Sequence, residues 1–238
     1  MKRNLSVTLI GPEYPINIGY TARLMKNFGI PKLFLVDPKV DLRIASIYAS
    51  HGGDLVLNAE RVGFEEVRRR HELLVATTAI RATKKGNIIR TIMKPEEAVG
   101  HIAASRSASL VFGRDTTGLR NEEIERCDIV TSLETGTIYR TLNLSHAASI
   151  LFYLISRTPT SQWPLSQSRG AREALASYGY ELAATLGLQE HRAKNLKGII
   201  QRIALKSELN DREITSLLSL MRKATQELGR SGRTQTRS

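Results

Sequence analysis

Cysteine, aromatic and acidic residues are scarce in this sequence, and it contains no long apolar run. The single cysteine, Cys127, excludes an internal disulfide framework, and so few thiols argue against a cysteine-based zinc site. The apolar stretches are shorter than the roughly 18 residues of a membrane-spanning helix, and the first residues lack a long apolar leader segment. We therefore expect a cytoplasmic protein with no metal and no membrane partner, and we expect Cys127 to pack in its core.

The shortage of acidic residues gives the 238-residue chain a net charge of +12 and an isoelectric point near 10.1. A field of that sign attracts polyanions, so nucleic acid is the first candidate partner. An ordinary basic protein with solvated lysines explains the charge equally well. The C-terminal third is the more densely charged part, because residues 161–238 hold 13 Lys and Arg against 7 Asp and Glu, whereas residues 1–160 hold 22 against 16.

Five short apolar runs alternate with helical segments and predict an α/β fold, in which a parallel sheet is flanked by helices. The runs are LSVTLIG, KLFLVD, ELLVATT, SASLVFG and CDIVTSL. Of the helical segments, NIGYTARLMKNFGI should end at Gly29 and Pro31, and NLSHAASILFYLIS is more apolar and should be buried against the sheet or another subunit.

A change of composition after the α/β region predicts a separate C-terminal part. The segment RTPTSQWPLSQSRG is rich in Ser, Thr, Pro and Gln and has no acidic residue, which is typical of a linker. Beyond it lie basic amphipathic helices, one of which begins with a predicted capping box of Asn210 and Glu213. The predicted parts are an α/β domain at 1–157, a linker at 158–170, a basic helical extension at 171–228 and a flexible tail at 229–238.

Two glycines, Gly113 and Gly118, have the spacing of a phosphate-binding loop. Such a loop requires a lysine and then a serine or threonine directly after the second glycine, whereas Leu119 and Arg120 follow here. The sequence also lacks the G-x-G-x-x-G pattern of dinucleotide-binding dehydrogenases. The two glycines therefore do not predict ATP or NAD binding, and they serve either another ligand or a tight turn.

Three polar segments, NIGYTAR, FGRDTTG and YRTLNLS, lie beyond apolar runs, where a parallel sheet usually gathers its functional residues. Taken singly, each has a structural explanation, because Asn17 and Asn143 can cap helices and the glycines can form turns. Together, and in this order, the segments resemble the three signature motifs of the SpoU branch of the SPOUT RNA methyltransferases.

The resemblance covers Leu5 to Ser156 and rests on matches in all three motifs. The first motif, Asn-x-Gly-x-x-x-Arg, is matched by Asn17, Gly19 and Arg23. The second, Gly-[Arg/Asn]-Glu-x-x-Gly, is matched by Gly113, Arg114 and Gly118, with Asp115 in the place of the glutamate. The third, Ser-Leu-Asn-[Leu/Val]-[Ser/Ala], is matched by Leu142, Asn143, Leu144 and Ser145, with Thr141 in the place of the serine. Both departures keep the functional group, a carboxylate or a hydroxyl.

The resemblance implies a fold and a reaction that composition alone does not predict. The implied fold is a parallel sheet whose C-terminal part forms a deep trefoil knot, followed by a small helical extension. The implied reaction is S-adenosylmethionine-dependent methylation of a ribose 2′-hydroxyl in RNA. The chain is most similar to the TrmJ-type tRNA methyltransferases, which implies tRNA as the partner and nucleotide 32 of the anticodon loop as the target. An rRNA methyltransferase and a non-catalytic RNA-binding protein are the alternatives.

The resemblance also assigns roles to individual residues. The expected cofactor-binding residues are Thr77, Thr78, Ala79, Gly113, Leu133, Thr141, Leu142 and Asn143. The expected catalytic residues are Asn17, Arg23, Thr141 and Asn143, and the expected RNA-binding residues are Arg23, Arg114, Tyr139 and Arg140. Gly113 would let the backbone approach the cofactor closely because it has no Cβ. Packing is the alternative explanation for Leu133 and Tyr139.

Arg23 is the residue on which the implied reaction depends most. A ribose 2′-hydroxyl loses its proton as it attacks the methyl group, so the site must supply positioning, a proton acceptor and charge stabilisation. Because a guanidinium stays protonated, we expect Arg23 to hold a phosphate and stabilise the developing alkoxide, while the proton leaves to a phosphate oxygen or water. Arg23 acting as the base beside a cationic neighbour is the alternative. The resemblance further implies a homodimer in which Arg23 of one subunit reaches the pocket of the other.

Overall fold

The computed structural model describes residues 5–79, 92–159, 168–207 and 209–234. Packing divides the chain into two compact units, with the described residues up to 159 in the first and those from 168 onward in the second. Most of the predicted linker lies outside the described residues. None of the helices in the described ranges is long and apolar enough to span a membrane.

The first unit alternates strands and helices along the chain. Its strands are β1 (Leu5–Ile10), β2 (Lys32–Val36), β3 (Glu60–Arg61), β4 (Leu73–Thr77), β5 (Ala108–Phe112) and β6 (Ile129–Thr131). Its helices are α1 (Pro15–Asn27), α2 (Leu42–Ala49), α3 (Gly53–Leu57), α4 (Phe64–Arg70), α5 (Pro95–Ala104), α6 (Asn121–Glu125) and α7 (Leu144–Arg157). A 3-10 turn, Ser50–Gly52, joins α2 to α3.

The six strands form one parallel sheet in the order β3-β2-β1-β5-β4-β6. All five apolar runs are confirmed as strands, and the predicted α/β class is confirmed with them. The sequence does not predict β3, because a two-residue edge strand made of Glu60 and Arg61 has no apolar run. The trefoil knot and the domain boundaries stay predictions.

Side chains from five strands meet in one core cluster that includes Ile10, Phe34, Leu74, Val111 and Val130. Full burial of such side chains contributes roughly 1.5–3 kcal/mol each. Cys127, expected in the core, is half-buried and packs against the edge of this cluster.

Helix α1 carries the first motif. It packs so closely against α2 and the following turn that their backbones are in contact. A Cβ built on Gly19 would lie 2.5 Å from the carbonyl oxygen of Ala45 in α2. A Cβ built on Gly52 would lie 2.9 Å from the amide nitrogen of Arg23. The glycine of the first motif is therefore required by helix packing.

Both helices expected from the sequence of the first unit are present and lie side by side. Helix α1 ends just before Gly29, whose φ of +67° favours glycine, and α7 packs against it through an edge-to-face contact of Phe28 with Phe152 at 6.0 Å. The buried face of α7 includes Leu151 and Ile155. Its opposite face leaves apolar side chains exposed.

The second unit consists, in its described residues, of α8 (Arg169–Thr185), α9 (Glu190–Lys206) and α10 (Asp211–Thr234). These helices pack around Leu175, Ala204 and Ile214. Helix α8 begins inside the predicted linker, and α10 continues beyond the predicted start of the tail at residue 229. No proline interrupts that stretch, and glycine alone does not have to end a helix.

The predicted capping box at the start of α10 is confirmed. The Asn210 side chain accepts a hydrogen bond from the Glu213 amide at 3.1 Å, and the Glu213 carboxylate accepts one from the Asn210 amide at 2.7 Å. The two residues satisfy amide groups that have no partner within the helix.

Candidate functional site

A pocket lies at the carboxyl ends of β4, β5 and β6, the edge at which parallel sheets bind ligands. The predicted cofactor-binding residues that line it are Thr77, Thr78, Ala79, Gly113, Leu133, Thr141 and Leu142. The structure therefore brings together residues from the end of β4, from residues 113–119 after β5, which we call the glycine-rich loop, from the end of β6 and from the segment before α7. Asn143 is not among the lining residues, although its neighbours Leu142 and Leu144 are.

Several lining residues carry polar groups to which the sequence analysis assigned no role. Thr131 and Ser132 are buried at the end of β6, and the Thr131 hydroxyl donates a hydrogen bond to the Met93 carbonyl at 3.0 Å. Thr116 and Thr117 lie in the glycine-rich loop. Their position at or within a few residues of the carboxyl end of a strand is the signal that could have identified them, because all these strand ends of a parallel sheet meet at one edge.

The glycine-rich loop is a tight turn closed on itself. Arg114 and Gly118 exchange backbone hydrogen bonds at 3.2 and 2.9 Å, and Gly118 has a φ of +70°. A Cβ on Gly113 would lie 2.2 Å from the carbonyl carbon of Gly118 and 2.2 Å from the amide nitrogen of Leu119. The loop's own backbone therefore requires a residue without Cβ at position 113. Gly113 also lines the pocket, and its close approach to a cofactor stays a prediction.

Hydrogen bonds connect all three motif segments. The Asn17 side-chain amide donates to Asp115 Oδ1 at 2.5 Å, and Asn17 Oδ1 accepts a hydrogen bond from Asn143 Nδ2 at 3.0 Å. Asp115 Oδ2 also accepts hydrogen bonds from the amides of Glu13 and Tyr14, at 2.8 and 3.1 Å, just before α1 begins. The aspartate that replaces the glutamate of the motif thus ties the pocket loop to the start of α1.

Asn17 and Asn143 hold different positions in their helices. Asn143 is the N-cap of α7, where its Oδ1 accepts a hydrogen bond from the Ser145 amide at 2.9 Å. Asn17 is buried inside the first turn of α1, so the alternative explanation of Asn17 as a cap is wrong. The oxygen of the Asn143 side-chain amide caps α7, and its nitrogen donates the hydrogen bond to Asn17.

Arg114, expected to bind RNA, forms an ion pair with Glu123 instead of pointing freely to solvent. The two side chains are only 14% and 15% exposed. Hydrogen bonding to Glu123 raises the pKa of Arg114 above its usual value. Burial opposes ionisation of Glu123, but the hydrogen bonds from the Arg114 guanidinium and the Arg120 amide outweigh it, and the pKa of Glu123 is lowered. Both groups are therefore charged at neutral pH.

The other predicted RNA-binding residues are exposed. Arg23 lies on the exposed side of α1, together with Ile16 and Tyr20. Arg140 is exposed and lines the pocket, and Tyr139 beside it is 81% exposed. Packing within this chain, the alternative explanation for Tyr139, does not account for that exposure.

The chemistry of the lining residues fits S-adenosylmethionine. Leu133, Leu142 and Leu144 offer apolar contacts suited to an adenine ring, and the hydroxyls of Thr78 and Thr141 offer polar contacts suited to a ribose or an amino acid. Among the residues that the structure describes, no group of three His, Cys, Asp or Glu side chains is placed to hold a metal ion.

A parallel six-stranded sheet with a pocket at its carboxyl edge, lined by residues of the second and third motif segments, is the arrangement of the SPOUT class of methyltransferase folds. Residues 4–153 match the SpoU rRNA Methylase family. The chain belongs to this family and is an RNA methyltransferase.

Named relatives resemble the chain over nearly its whole length. TrmJ of Methanocaldococcus jannaschii, a tRNA (cytidine-2′-O-)-methyltransferase, is 28% identical over 224 residues, which cover 90% of this chain and 97% of that protein. TrmJ of Sulfolobus acidocaldarius, which has the same description, is 26% identical over 221 residues, which cover 92% of each chain. Among solved structures, TrmJ from Z. mobilis ZM4 superposes with a TM-score of 0.67 at 21% identity and covers 92% of this chain and 97% of that one, which shows the shared fold.

Proposed function

We propose that this chain transfers a methyl group from S-adenosylmethionine to the ribose 2′-hydroxyl of a cytidine in tRNA, at nucleotide 32 of the anticodon loop. When bound, the cofactor supplies the methyl group as an electrophile on a sulfonium centre. The names of the two relatives that match at least 90% of this chain support tRNA and cytidine. The resemblance of the three motifs to TrmJ-type enzymes supports nucleotide 32.

The observation that carries this proposal is the hydrogen-bonded connection of Asp115, Asn17 and Asn143 beside the pocket. A helix cap would explain Asn143 and a tight turn would explain the glycine-rich loop, but neither would require all three motif segments to meet. Their connection sets the start of α1 against the pocket loop. A methyl transfer site needs this rigidity, because small errors in the placement of reacting groups are costly in rate.

The predicted catalytic and RNA-binding residues other than Arg114 each have a role in the proposed reaction. Arg23 holds a phosphate of the RNA and stabilises the negative charge that develops on the ribose oxygen, while the proton leaves to a phosphate oxygen or to water. Asn17 and Asn143 position α1 and the segment before α7, and the Thr141 hydroxyl orients the ribose at the pocket. Arg140 contacts the RNA backbone, and Tyr139 stacks on an unpaired base.

We further propose that the enzyme is a homodimer formed through α1 and α7. The exposed faces of these adjacent helices carry large apolar side chains, which include Ile16 and Tyr20 on α1 and Ile150 and Tyr153 on α7. Their exposed fractions range from 37% to 57% in the single chain. Adjacent apolar side chains of this kind are typical of an interaction surface. In such a dimer, Arg23 of one subunit completes the pocket of the other.

The direct test is to incubate the purified protein with labelled S-adenosylmethionine and, in parallel, with unfractionated tRNA and with rRNA. Mass spectrometry of nuclease digests then locates the methylated nucleoside, and tRNA transcripts with each base at position 32 measure the base preference. Arg23→Ala should remove nearly all activity. Arg43→Ala, which replaces an exposed arginine on α2, is the matched control and should keep activity near that of the wild type.

Label in 2′-O-methylcytidine at nucleotide 32 is the expected result. Label confined to rRNA would replace the proposed substrate with the one in the family description. Binding of tRNA without any transfer would favour a non-catalytic RNA-binding protein.

A further inference from the structure

A largely buried ion pair joins Arg114 of the glycine-rich loop to Glu123 of α6, and it has no part in the proposed chemistry. Nη1 of Arg114 donates a hydrogen bond to Oε2 of Glu123 at 3.0 Å, and Nη2 donates one to Oε1 at 2.9 Å. Such two-pronged contacts fix the orientation of both groups. The pair of Arg126 with Glu65 at the end of α6 is quite different, because those side chains are 50% and 56% exposed.

The ion pair closes the loop at three points. Arg114 is the first residue of the backbone turn, and its Nη1 also approaches the carbonyl oxygen of Gly118, the last residue, at 3.4 Å. Oε2 of Glu123 accepts a second hydrogen bond from the Arg120 amide at 2.7 Å, at the start of α6. One arginine and one glutamate therefore tie the beginning of the loop, its end and the next helix together.

The backbone directly after β1 leaves room for the side chain of Arg114. Gly11 has a φ of +57°, and a Cβ built on it would lie only 3.1 Å from both Cγ and Nε of Arg114. The arginine side chain thus lies against bare backbone. A lysine ammonium is a point charge and cannot reproduce the planar, two-pronged contact.

This arrangement argues against a direct contact of Arg114 with RNA. To reach a phosphate, the guanidinium would have to leave Glu123 as a mostly buried carboxylate without its partner, which is costly. The loop that the pair holds supplies the pocket residues from Gly113 to Leu119, so Arg114 itself lies at the pocket. Asp115, which follows Arg114 directly, carries the hydrogen bonds to the start of α1.

We propose that Arg114 and Glu123 are positioning residues that hold the glycine-rich loop in its cofactor-binding shape, and that Arg114 is not an RNA ligand. The proposal rests on the proposed function, since S-adenosylmethionine is the expected occupant of the pocket. It replaces the role that the sequence motif suggests for Arg114. It also gives Glu123, which the sequence analysis did not select, a place in the site.

The test compares Arg114→Lys, Glu123→Gln and the control Arg126→Lys with the wild type. Calorimetry measures binding of S-adenosylmethionine, and fluorescence anisotropy measures tRNA binding over a series of salt concentrations. We expect Arg114→Lys and Glu123→Gln each to weaken cofactor binding by about tenfold or more, since each breaks a mostly buried pair. Affinity for tRNA and its salt dependence should stay close to wild type in both variants, and Arg126→Lys should change neither ligand's binding.

Glu123→Gln distinguishes a positioning role of Arg114 from a role as an RNA ligand. If Arg114 were an RNA ligand, Glu123→Gln would release its charge and strengthen tRNA binding, and Arg114→Lys would leave cofactor binding unchanged. Either result would overturn the proposal. Thermal unfolding of each variant shows whether a loss of cofactor binding is merely a loss of fold.

Amide hydrogen exchange tests the positioning role of Arg114 and Glu123 without depending on which cofactor the pocket binds. The Gly118 and Arg120 amides, which bond to Arg114 and Glu123, should lose protection in Arg114→Lys but not in Arg126→Lys. Unchanged protection would refute the positioning role. A wild-type protein that shows this protection pattern but does not bind S-adenosylmethionine would instead contradict the proposed function and leave the positioning role supported.

Discussion

The side-chain amide of Asn17 can form its two hydrogen bonds in only one orientation. Its NH₂ group must face the carboxylate of Asp115, which only accepts hydrogen bonds, so its oxygen faces Asn143. Asn143 must then donate with its own NH₂ group, which leaves its oxygen free to cap α7. The order of donors and acceptors explains why an amide, and not a carboxylate, is needed at position 143.

We predict that Asn143→Asp is less stable than Asn143→Ser. Both residues keep the N-cap of α7, and aspartate is ordinarily at least as good a cap as serine. The aspartate, however, places an acceptor against the oxygen of the buried Asn17, at a cost of about 1–3 kcal/mol. Urea unfolding of the two variants measures this difference. An Asn143→Asp protein at least as stable as Asn143→Ser would show that an acceptor at position 143 does not repel the Asn17 oxygen.

At the scale of structural elements, the glycine-rich loop depends on its first glycine for its own conformation. We predict that Gly113→Ala lowers the free energy of unfolding by about 1–3 kcal/mol, because the new Cβ would press on the backbone of Gly118 and Leu119. Gly100→Ala is the matched control. Gly100 lies in α5 with open space around its Cβ position, so this change should be neutral or stabilise by up to about 1 kcal/mol. Equal melting temperatures for the two variants would contradict the packing explanation.

The elements themselves could largely be predicted, because their signals are local. A short, continuous apolar run such as SASLVFG is typical of a strand buried on both faces of a parallel sheet, and Gly29 and Pro31 mark the end of α1 in the sequence. The roles of Gly113 and Arg114 could not be predicted in this way. The first depends on how the loop folds back on itself, and the second on a glutamate nine residues further along, which no periodic pattern connects to it.

The sequence predicted which segments come together at the site, but it did not predict which side chains contact one another. Motif resemblance identified Asn17, Asp115 and Asn143, yet their hydrogen bonds depend on side-chain directions in a folded sheet whose strand order the sequence does not state. The buried Ser132 was missed although it directly precedes the predicted Leu133, because the sequence does not state which side chains at the end of β6 face the pocket.

At the scale of the whole molecule, the second unit should contribute to RNA affinity and not to chemistry. Residues 161–238 hold six more basic than acidic residues, and the first unit has its own core. We predict that deleting residues 160–238 weakens tRNA binding by about tenfold or more and makes its salt dependence shallower, because fewer phosphates are neutralised. Affinity for S-adenosylmethionine, measured by calorimetry, should stay at the wild-type value. An unchanged salt dependence would show that this unit does not bind RNA.

The proposed homodimer makes a second prediction at this scale. Arg23→Ala removes the residue expected to act in trans, and Leu133→Arg blocks a pocket residue that is remote from the bonds of Asn17. Each variant alone should be inactive. In an equal mixture that has exchanged subunits, half of the dimers are mixed and each mixed dimer has one intact site, so activity should return to about a quarter of the wild-type value. Mixed dimers with no activity would place Arg23 in the pocket of its own chain.

The strand order also has consequences for how the chain is made. Strand β5 lies between β1 and β4, and Leu5 pairs with Ala108, so the middle of the sheet cannot form until more than a hundred residues have been synthesised. Until then, β1 and β4 each have an unpaired edge, whose backbone groups can form hydrogen bonds with a strand of another chain. Pairing over such sequence distances is also slow. We therefore expect the nascent protein to be most prone to aggregation just before Phe112 leaves the ribosome, and least prone once β5 has closed the sheet.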